Sequence, residues 1–462
     1  MKSFTAHYKD LARLGLPIVI GQLGIIFVSF VDTFMVSQHH GNDLAAASFV
    51  NNMFNLAIIF ATGFSYGLTP IVGKFFGKGK KDEAGGMFKN ALLANGSMSI
   101  LLMSAMWILY LNIGNLGQPE ELLGLMRPYY ITLLISIPFT LLFNAFKQFA
   151  DGITDTKTSM WILLTGNILN ITGNYVLIFG KFGFPELGLL GAGVSTLLSR
   201  MAMLAISLVI FLKSKRYRIY AMGFWRIGVS RMRQKELYRL GLPIAAQMGM
   251  EAASFSLTTI MVGWIGTRAL EAHQIMVTVS QLGFMIYYGM AAAVSVKVSN
   301  YNGAGDTANI KRVTASGFHL ITLMAVITSV AVYSLRNVIG TIFTDDIFVV
   351  QLVAQLTIPF VLYQIGDGLQ CNYANALRGI TDVKPMMLFA FIAYIGISLP
   401  AGYIFGFVFD LGLPGVWMSF PFGLTSAGVM FYLRFRHTLK KKAHITKSSP
   451  SSQEGVPEGE GR

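Results

Sequence analysis

Three carboxylates stand where hydrocarbon is expected: Asp32 within GQLGIIFVSFVDTFMV, Glu251 within LPIAAQMGMEAASFSLTTIMV and Asp367 within IPFVLYQIGDGLQCNYANAL. A charge at the centre of a bilayer costs about 2.5–3.5 kcal/mol on insertion scales, so acids in such runs serve a pathway, a proton or a cation. Glu251 lies roughly 21 Å into its run by the helical rise, close to a membrane midplane. Gln247 precedes Glu251 by four residues, and Tyr363 precedes Asp367 by four, so each acid shares a helix face with a polar companion. Two acids on different helices can share a proton or chelate a monovalent cation, and no Lys or Arg is expected at their depth to pair with them. Asp32 lies roughly 30 Å beyond Leu11, in the outer half of its run. Asn174 and Thr196, from two later runs, fall at a similar depth, and Asn170 shares a face with Asn174. Their amide and hydroxyl groups suit a cation or a hydrogen-bonded carboxyl group, and equally suit mutual satisfaction in helix packing.

These side chains need long helices to hold them. Apolar residues make up 53% of the 462-residue chain and charged residues 13%, against about 25% charged in soluble domains. About twelve apolar runs approach the ~20 residues that a bilayer requires. They lie at 11–37, 44–73, 88–112, 122–149, 158–180, 189–213, 237–265, 270–299, 313–343, 349–376, 384–408 and 414–436. An all-α integral membrane protein is expected. The formal charge of +14 does not point to nucleic acid, because the bases gather at alternate helix ends. Lys74, Lys78, Lys80 and Lys81 follow the second run, and Lys213, Lys215, Arg216 and Arg218 follow the sixth. The opposite loops SQHHGND and NIGNLGQPEE carry no Lys or Arg. The positive-inside rule therefore sets both termini in the cytoplasm of a plasma-membrane protein. No cleavage site follows a short apolar core near the N-terminus, so no removed signal peptide is expected.

The two halves are alike. LARLGLP at 11–17 matches LYRLGLP at 237–243, and Gly77 and Gly79 match Gly303 and Gly305, all at an offset of 226. DGITD at 151–155 matches RGITD at 378–382, at 227. An even number of spans per half gives parallel repeats related by an axis along the membrane normal. The expected organisation is a first lobe at 1–212, a basic linker at 213–236, a second lobe at 237–436 and a disordered tail at 437–462.

Other signals carry less. His39 and His40 are expected to be solvated in a short loop. GAGD at 303–306 lacks a nucleotide fingerprint, and there is no Walker sequence, so ATP is not expected to drive the protein. Asp345 and Asp346, the adjacent acid pair that a Mg2+-dependent intramembrane enzyme would want, fall in an outer loop. The single cysteine, Cys371, reads as a packing residue. Most of the 24 Met and of the aromatics (13%) are expected to pack helices or face lipid, although such side chains can also wall a site for planar cations.

Taken together, LGLP near the start of each half, FVDT around Asp32, NILNITGNYVLIFGKFG with PELG, AHQ at 272–274 and YQIGDGLQ with ALRGITD resemble the multidrug and toxic compound extrusion (MATE) transporters, in their bacterial NorM-like branch. The resemblance spans about residues 8–436. It implies two six-helix lobes that alternate access to a central cleft, with no enzymatic step and no cofactor beyond Na+ or H+ as coupling ion. It implies that Glu251 and Asp367, with Tyr363 beside them, couple the ion in the second lobe, where a monovalent cation can sit. In the first lobe the corresponding residues are Asp32, Asn170, Asn174 and Thr196. Organic cations and drugs are the expected substrates, touching Asp32, Gln247, Glu251, Tyr363 and Asp367, in a monomer embedded in lipid. A lipid-linked oligosaccharide flippase is the alternative, but its cleft should be lined with Arg and Lys.

Overall fold

The computed structural model describes residues 3–448 apart from 116 and 118, with side chains up to Lys442. Among these residues the chain is helical and has no strand. In hydrocarbon every backbone N–H and C=O must be satisfied within the element, which helices achieve along their own length. The helices are α1 (Phe4–His39), α2 (Gly41–Ser65), α3 (Leu68–Gly77), α4 (Lys81–Leu111), α5 (Glu120–Gly152), α6 (Thr156–Ile178) and α7 (Gly188–Lys213). A short α8 (Arg218–Arg226) leads to α9 (Arg231–Ile265), α10 (Thr267–Ala304), α11 (Thr307–Ser334), α12 (Arg336–Ile339) and α13 (Ile347–Gly379). The chain closes with α14 (Lys384–Ala390), α15 (Leu399–Tyr403), α16 (Gly412–Trp417) and α17 (Ser419–Ser448). Residues 391–398 and 404–408 continue α14 and α15 as wider π-helical turns.

The repeat read in the sequence is a repeat of structure. Helices starting at 41, 81 and 120 have counterparts starting at 267, 307 and 347, the offsets found for the motifs. The two GITD segments end α5 and α13 with the same turn. Thr154 and Thr381 both adopt a left-handed backbone, at φ 66 and 63, which β-branched residues rarely do. Asp155 N bonds back to Ala150 O at 2.8 Å, and Asp382 N to Leu377 O at 3.0 Å.

The lobes meet along a seam that is itself two-fold. Gly63 packs on Ala245, and Gly289 on Val19, which is the same contact moved by 226 residues and reversed. Gly15 on Met290 likewise mirrors Gly241 on Phe64, and Gly77 on Asn300 mirrors Gly303 on Lys74. Gly73 touches Ser299, its own repeat partner, so this contact lies on the axis. Such isologous pairing is the signature of a two-fold interface. Glycine is required because main chains come this close: a Cβ on Gly67 would stand 2.7 Å from Gly241 N.

The seam occupies the end of the bundle that carries the termini. His7 and Asn309 bond across it at 3.2 Å, and their repeat partners Arg233 and Glu83 do so at 2.6 Å. Lys297 pairs with Asp10 at 3.1 Å. Phe60 beside Gly249 is its furthest glycine contact. Beyond that point the described polar contacts of α1, α2, α9 and α10 remain within each lobe.

Several boundaries differ from those read in the sequence. Among the described residues, eleven helical segments are long and apolar enough to cross a membrane. The twelfth long helix, α9, falls short because its polar residues, among them Gln247, Glu251, Ser254 and Thr258, dilute its hydropathy. The second span is broken at Tyr66 and Gly67, where α2 gives way to α3. The basic linker contains α8 and the first turns of α9. Helix α17 runs on to Ser448, well into the segment expected to be disordered, and 449–462 lie outside the described residues. His39 is not a solvated loop residue either. It ends α1 and bonds Asp43 at 2.5 Å and Glu186 at 2.9 Å.

Candidate functional site

In the first lobe α1 carries Asp32, α6 carries Asn170 and Asn174, and α7 carries Thr196. Asn174 Nδ2 donates to Asp32 Oδ1 at 2.5 Å. The Asn170 amide meets Thr196 Oγ1 at 3.2 Å. In the orientation that sets its nitrogen against acceptors, it donates to both Asp32 oxygens at 2.8 and 3.3 Å and accepts from Thr196. Both amides are buried, whereas Asp32 is half-buried. The four residues brought together in the sequence by depth and by a shared helix face thus form one hydrogen-bonded group. Asn174 Oδ1, buried and without a partner, adds an acceptor oxygen beside the carboxylate.

A residue that the sequence reading passed over completes this site. Arg200, on α7 one turn beyond Thr196, is close enough for its charge to act on Asp32, and its Nη1 donates to Ser136 at 2.5 Å. A base in the apolar run LLSRMAM carries the same signal as the three acids and could have been found by it.

In the second lobe α9 brings Gln247 and Glu251 against one face of α13. Glu251 Oε2 accepts from Gln247 Nε2 at 3.0 Å and from Gln370 Nε2 at 3.1 Å. Gln370 also donates to Tyr394 Oη at 2.6 Å, in the π-helical stretch after α14, where a widened turn re-aims its side chains. Asp367 is buried, accepts a short hydrogen bond from the Tyr287 hydroxyl of α10, and receives Cys371 Sγ at 3.6 Å. Asp367 and Glu251 are near enough for their charges to interact. Among the described residues neither has a Lys, Arg or His nitrogen within ion-pair distance.

A second phenol joins the site, and one expectation is corrected. The phenol on Asp367 is that of Tyr287, while Tyr363 packs its ring among Phe360, Phe420 and Trp417 and turns its hydroxyl to Ser280. A base does reach the neighbourhood: Arg378 Nη2 donates to Gln247 Oε1 at 2.7 Å, one amide away from Glu251. Arg378 lies two residues past the end expected for its span, but α13 continues to Gly379 and carries it inside. Gln370, Tyr394 and Tyr287 had no comparable signal, since amides and phenols are common in apolar helices.

Among the described residues no three His, Cys, Asp or Glu side chains gather as a metal cluster. The chemistry on offer is carboxylate oxygen with amide oxygen and phenol, which suits a proton or a hard monovalent cation. Gln370 Oε1, buried and without a partner, adds one more such oxygen. His273, in the AHQ segment, packs instead: it takes Trp417 Nε1 at 3.0 Å and meets Thr259 at 2.9 Å.

Two six-helix lobes joined along a two-fold seam, with an acid-centred polar group inside each, define a multi-pass membrane transporter. A family model described as MatE matches residues 17–176 and 243–404, most of the chain, and the chain belongs to the MATE transporter family. The two matched segments start 226 residues apart (17 and 243), the offset of the repeat. The fold is that of solved relatives. A MATE transporter in a bent conformation is 18% identical, with a TM-score of 0.87, over 97% of this chain and 100% of that one. The Vibrio cholerae MATE transporter VcmN, solved as a point mutant, is 16% identical with a TM-score of 0.86, over 95% and 98%. The eukaryotic MATE transporter AtDTX14 is 17% identical with a TM-score of 0.84, over 96% and 99%.

Proposed function

We propose that this protein is an antiporter of the NorM-like branch, in a bacterial inner membrane. It exports organic, mostly cationic compounds in exchange for inward Na+ or H+. The observation that carries this reading is the Glu251–Gln370–Tyr394 group with Asp367 beside it, two interacting acids without an ion-pair partner. Asp32 with Asn170, Asn174 and Thr196 supplies a second ion site in the other lobe. The lobes extend over 1–212 and 237–436, joined through 213–236, and the chain works as a monomer with cytoplasmic termini. With the lobes joined at the end that carries the termini, the state on this reading is outward-facing, one in which a coupling ion enters and drug leaves.

A single charge moving inward through 100 mV supplies about 2.3 kcal/mol, roughly a 50-fold gradient of exported compound. Reciprocity requires drug and ion to weaken each other's binding by one common factor. The test is dye efflux from vesicles, with sodium and pH gradients imposed separately. Glu251→Gln and Asp367→Asn should each abolish ion-driven efflux while the protein remains in the membrane. Full efflux by Glu251→Gln would remove these residues from the coupling.

A further inference from the structure

The seam encloses a small crevice on the pseudo-two-fold axis, distinct from the acid groups of both lobes. Its lining includes three polar pairs of repeat partners: Thr69 with Ser295, Gln148 with Asn375, and Asp151 with Arg378. The free space is about 20 Å³, enough for one water-sized occupant and far too small for an organic substrate. At the third pair the repeat has changed sign, so an acid from one lobe and a base from the other share the cavity.

What remains unpaired there is donors. Arg378 is 4% exposed, and its Nε has no partner once Nη2 has met Gln247. Gln148 is 4% exposed, its Oε1 is taken by the Thr69 hydroxyl at 2.7 Å, and its Nε2 has no partner. The Asp151 oxygens are engaged. Asp151 Oδ2 takes Lys147 Nζ at 2.9 Å, and Oδ1 takes the Ser159 hydroxyl at 2.9 Å. The Lys147 and Asp151 charges offset each other, and Arg378, which lies over the Tyr66 ring at 5.6 Å and has its nearest other acid, Glu251, beyond Gln247, meets no second acid in the cavity lining. A buried charge and buried N–H groups without partners are costly, and an anion relieves both at once, where a water relieves only the second.

We propose that this crevice binds one monovalent anion of halide size, held by Arg378 Nε, Gln148 Nε2 and Lys147 Nζ. Lys147 and Gln148 lie on α5 of the first lobe and Arg378 on α13 of the second, so the ion fastens the lobes together at the end that carries the termini. It favours the joined seam by its difference in affinity between joined and parted lobes.

The test uses the full chain purified in detergent, with sodium and ionic strength fixed while chloride replaces gluconate. The unfolding temperature of the wild type should rise by a few degrees and saturate, and the rise should be lost in Gln148→Leu. Crystals of the wild type grown in bromide should show an anomalous peak between Arg378 and Gln148, a measurement that needs no variant. Identical unfolding in chloride and gluconate, an equal rise in Gln148→Leu, or a crevice without bromide would each overturn the assignment and leave water as the occupant.

Discussion

Replacing Gly67 by alanine should push the lobes apart at the closed seam. The new Cβ would stand 2.7 Å from Gly241 N and 2.8 Å from Gly241 Cα. Both are main-chain atoms, so no rotamer change relieves the clash, and the backbones must part by roughly half an ångström or more to reach ordinary contact. Overpacking of this kind costs about 1–3 kcal/mol. If the cost falls on the joined state alone, the equilibrium between joined and parted lobes shifts by roughly five- to 150-fold. Gly67 has φ −61 and ψ −20, which alanine adopts freely, so backbone strain does not contribute. Spin labels on exposed Lys9 and Lys311, one in each lobe near the termini, would read the separation by pulsed dipolar spectroscopy. A population at longer distance should grow in Gly67→Ala. Gly263→Ala, on α9 with no atom within 4 Å of the added methyl, should leave the distances unchanged. If Gly67→Ala folds normally and its distance distribution matches the wild type, the glycine seam does not hold the lobes closed.

Tyr287→Phe removes the phenol that donates to the ionised Asp367 carboxylate, and hydrogen bonds to charged groups contribute about 1.5–3 kcal/mol, so the half-maximal ion concentration for efflux should move by at least about tenfold, downward where the coupling ion is H+. Tyr363→Phe, whose hydroxyl turns to Ser280, should shift that midpoint far less, and titration of efflux against ion concentration separates the two. Asp32→Asn and Arg200→Met should not add in thermal unfolding, with a coupling of about 0.5–3 kcal/mol, because each charge loses its partner when the other is removed. Additive losses would show that the two do not interact. Burial raises the Asp382 carboxyl, but hydrogen bonds from Arg434 and Thr438 outweigh it and hold the group below its ordinary value. A lowered folded pKa gives stability that is present above the unfolded value near 3.9 and fades as pH falls through the folded one. Wild type should therefore lose unfolding temperature faster than Asp382→Asn as pH drops below about 4.

The parts of this protein that could be read from the sequence are those where one residue contradicts its surroundings. Asp32, Glu251 and Asp367 declare themselves because a carboxylate in an apolar run needs no partner to be anomalous. Asn174 and Thr196 followed from depth, since three helices of known direction fix which residues share a level, and Asn170 followed from its four-residue spacing to Asn174. Tyr287 could not be read this way: it lies 80 residues from Asp367, and only the packing of α10 on α13 makes it a partner. Arg378 was missed by a boundary, because the extra turns of α13 convert a helix-end base into a buried one. The seam glycines were present in the sequence, yet their meaning depends on which main chain crosses them, and that is set by the docking of two lobes.

The repeat divides frame from chemistry. Elements that shape the lobes are duplicated: Pro17 and Pro243 inside the first helix of each, the left-handed threonines of the two GITD turns, and the reciprocal glycine contacts of the seam. Residues that carry charge into the interior are not duplicated. The repeat partner of Asp32 is Thr258, that of Glu251 is Ile25, that of Asp367 is Thr140, and that of Arg378 is Asp151. A symmetric seam lets either lobe turn about the same axis with equivalent contacts, so its geometry favours neither site. Any difference in how the two lobes answer an ion must then come from the unduplicated groups. An ion at Glu251 acts on a network that reaches the seam through Gln247 and Arg378, and an ion at Asp32 acts on one that ends within its own lobe at Arg200 and Ser136. The second lobe is accordingly the one wired to the closure, and neutralising Glu251 should alter the lobe-to-lobe distances near the termini more than neutralising Asp32 does.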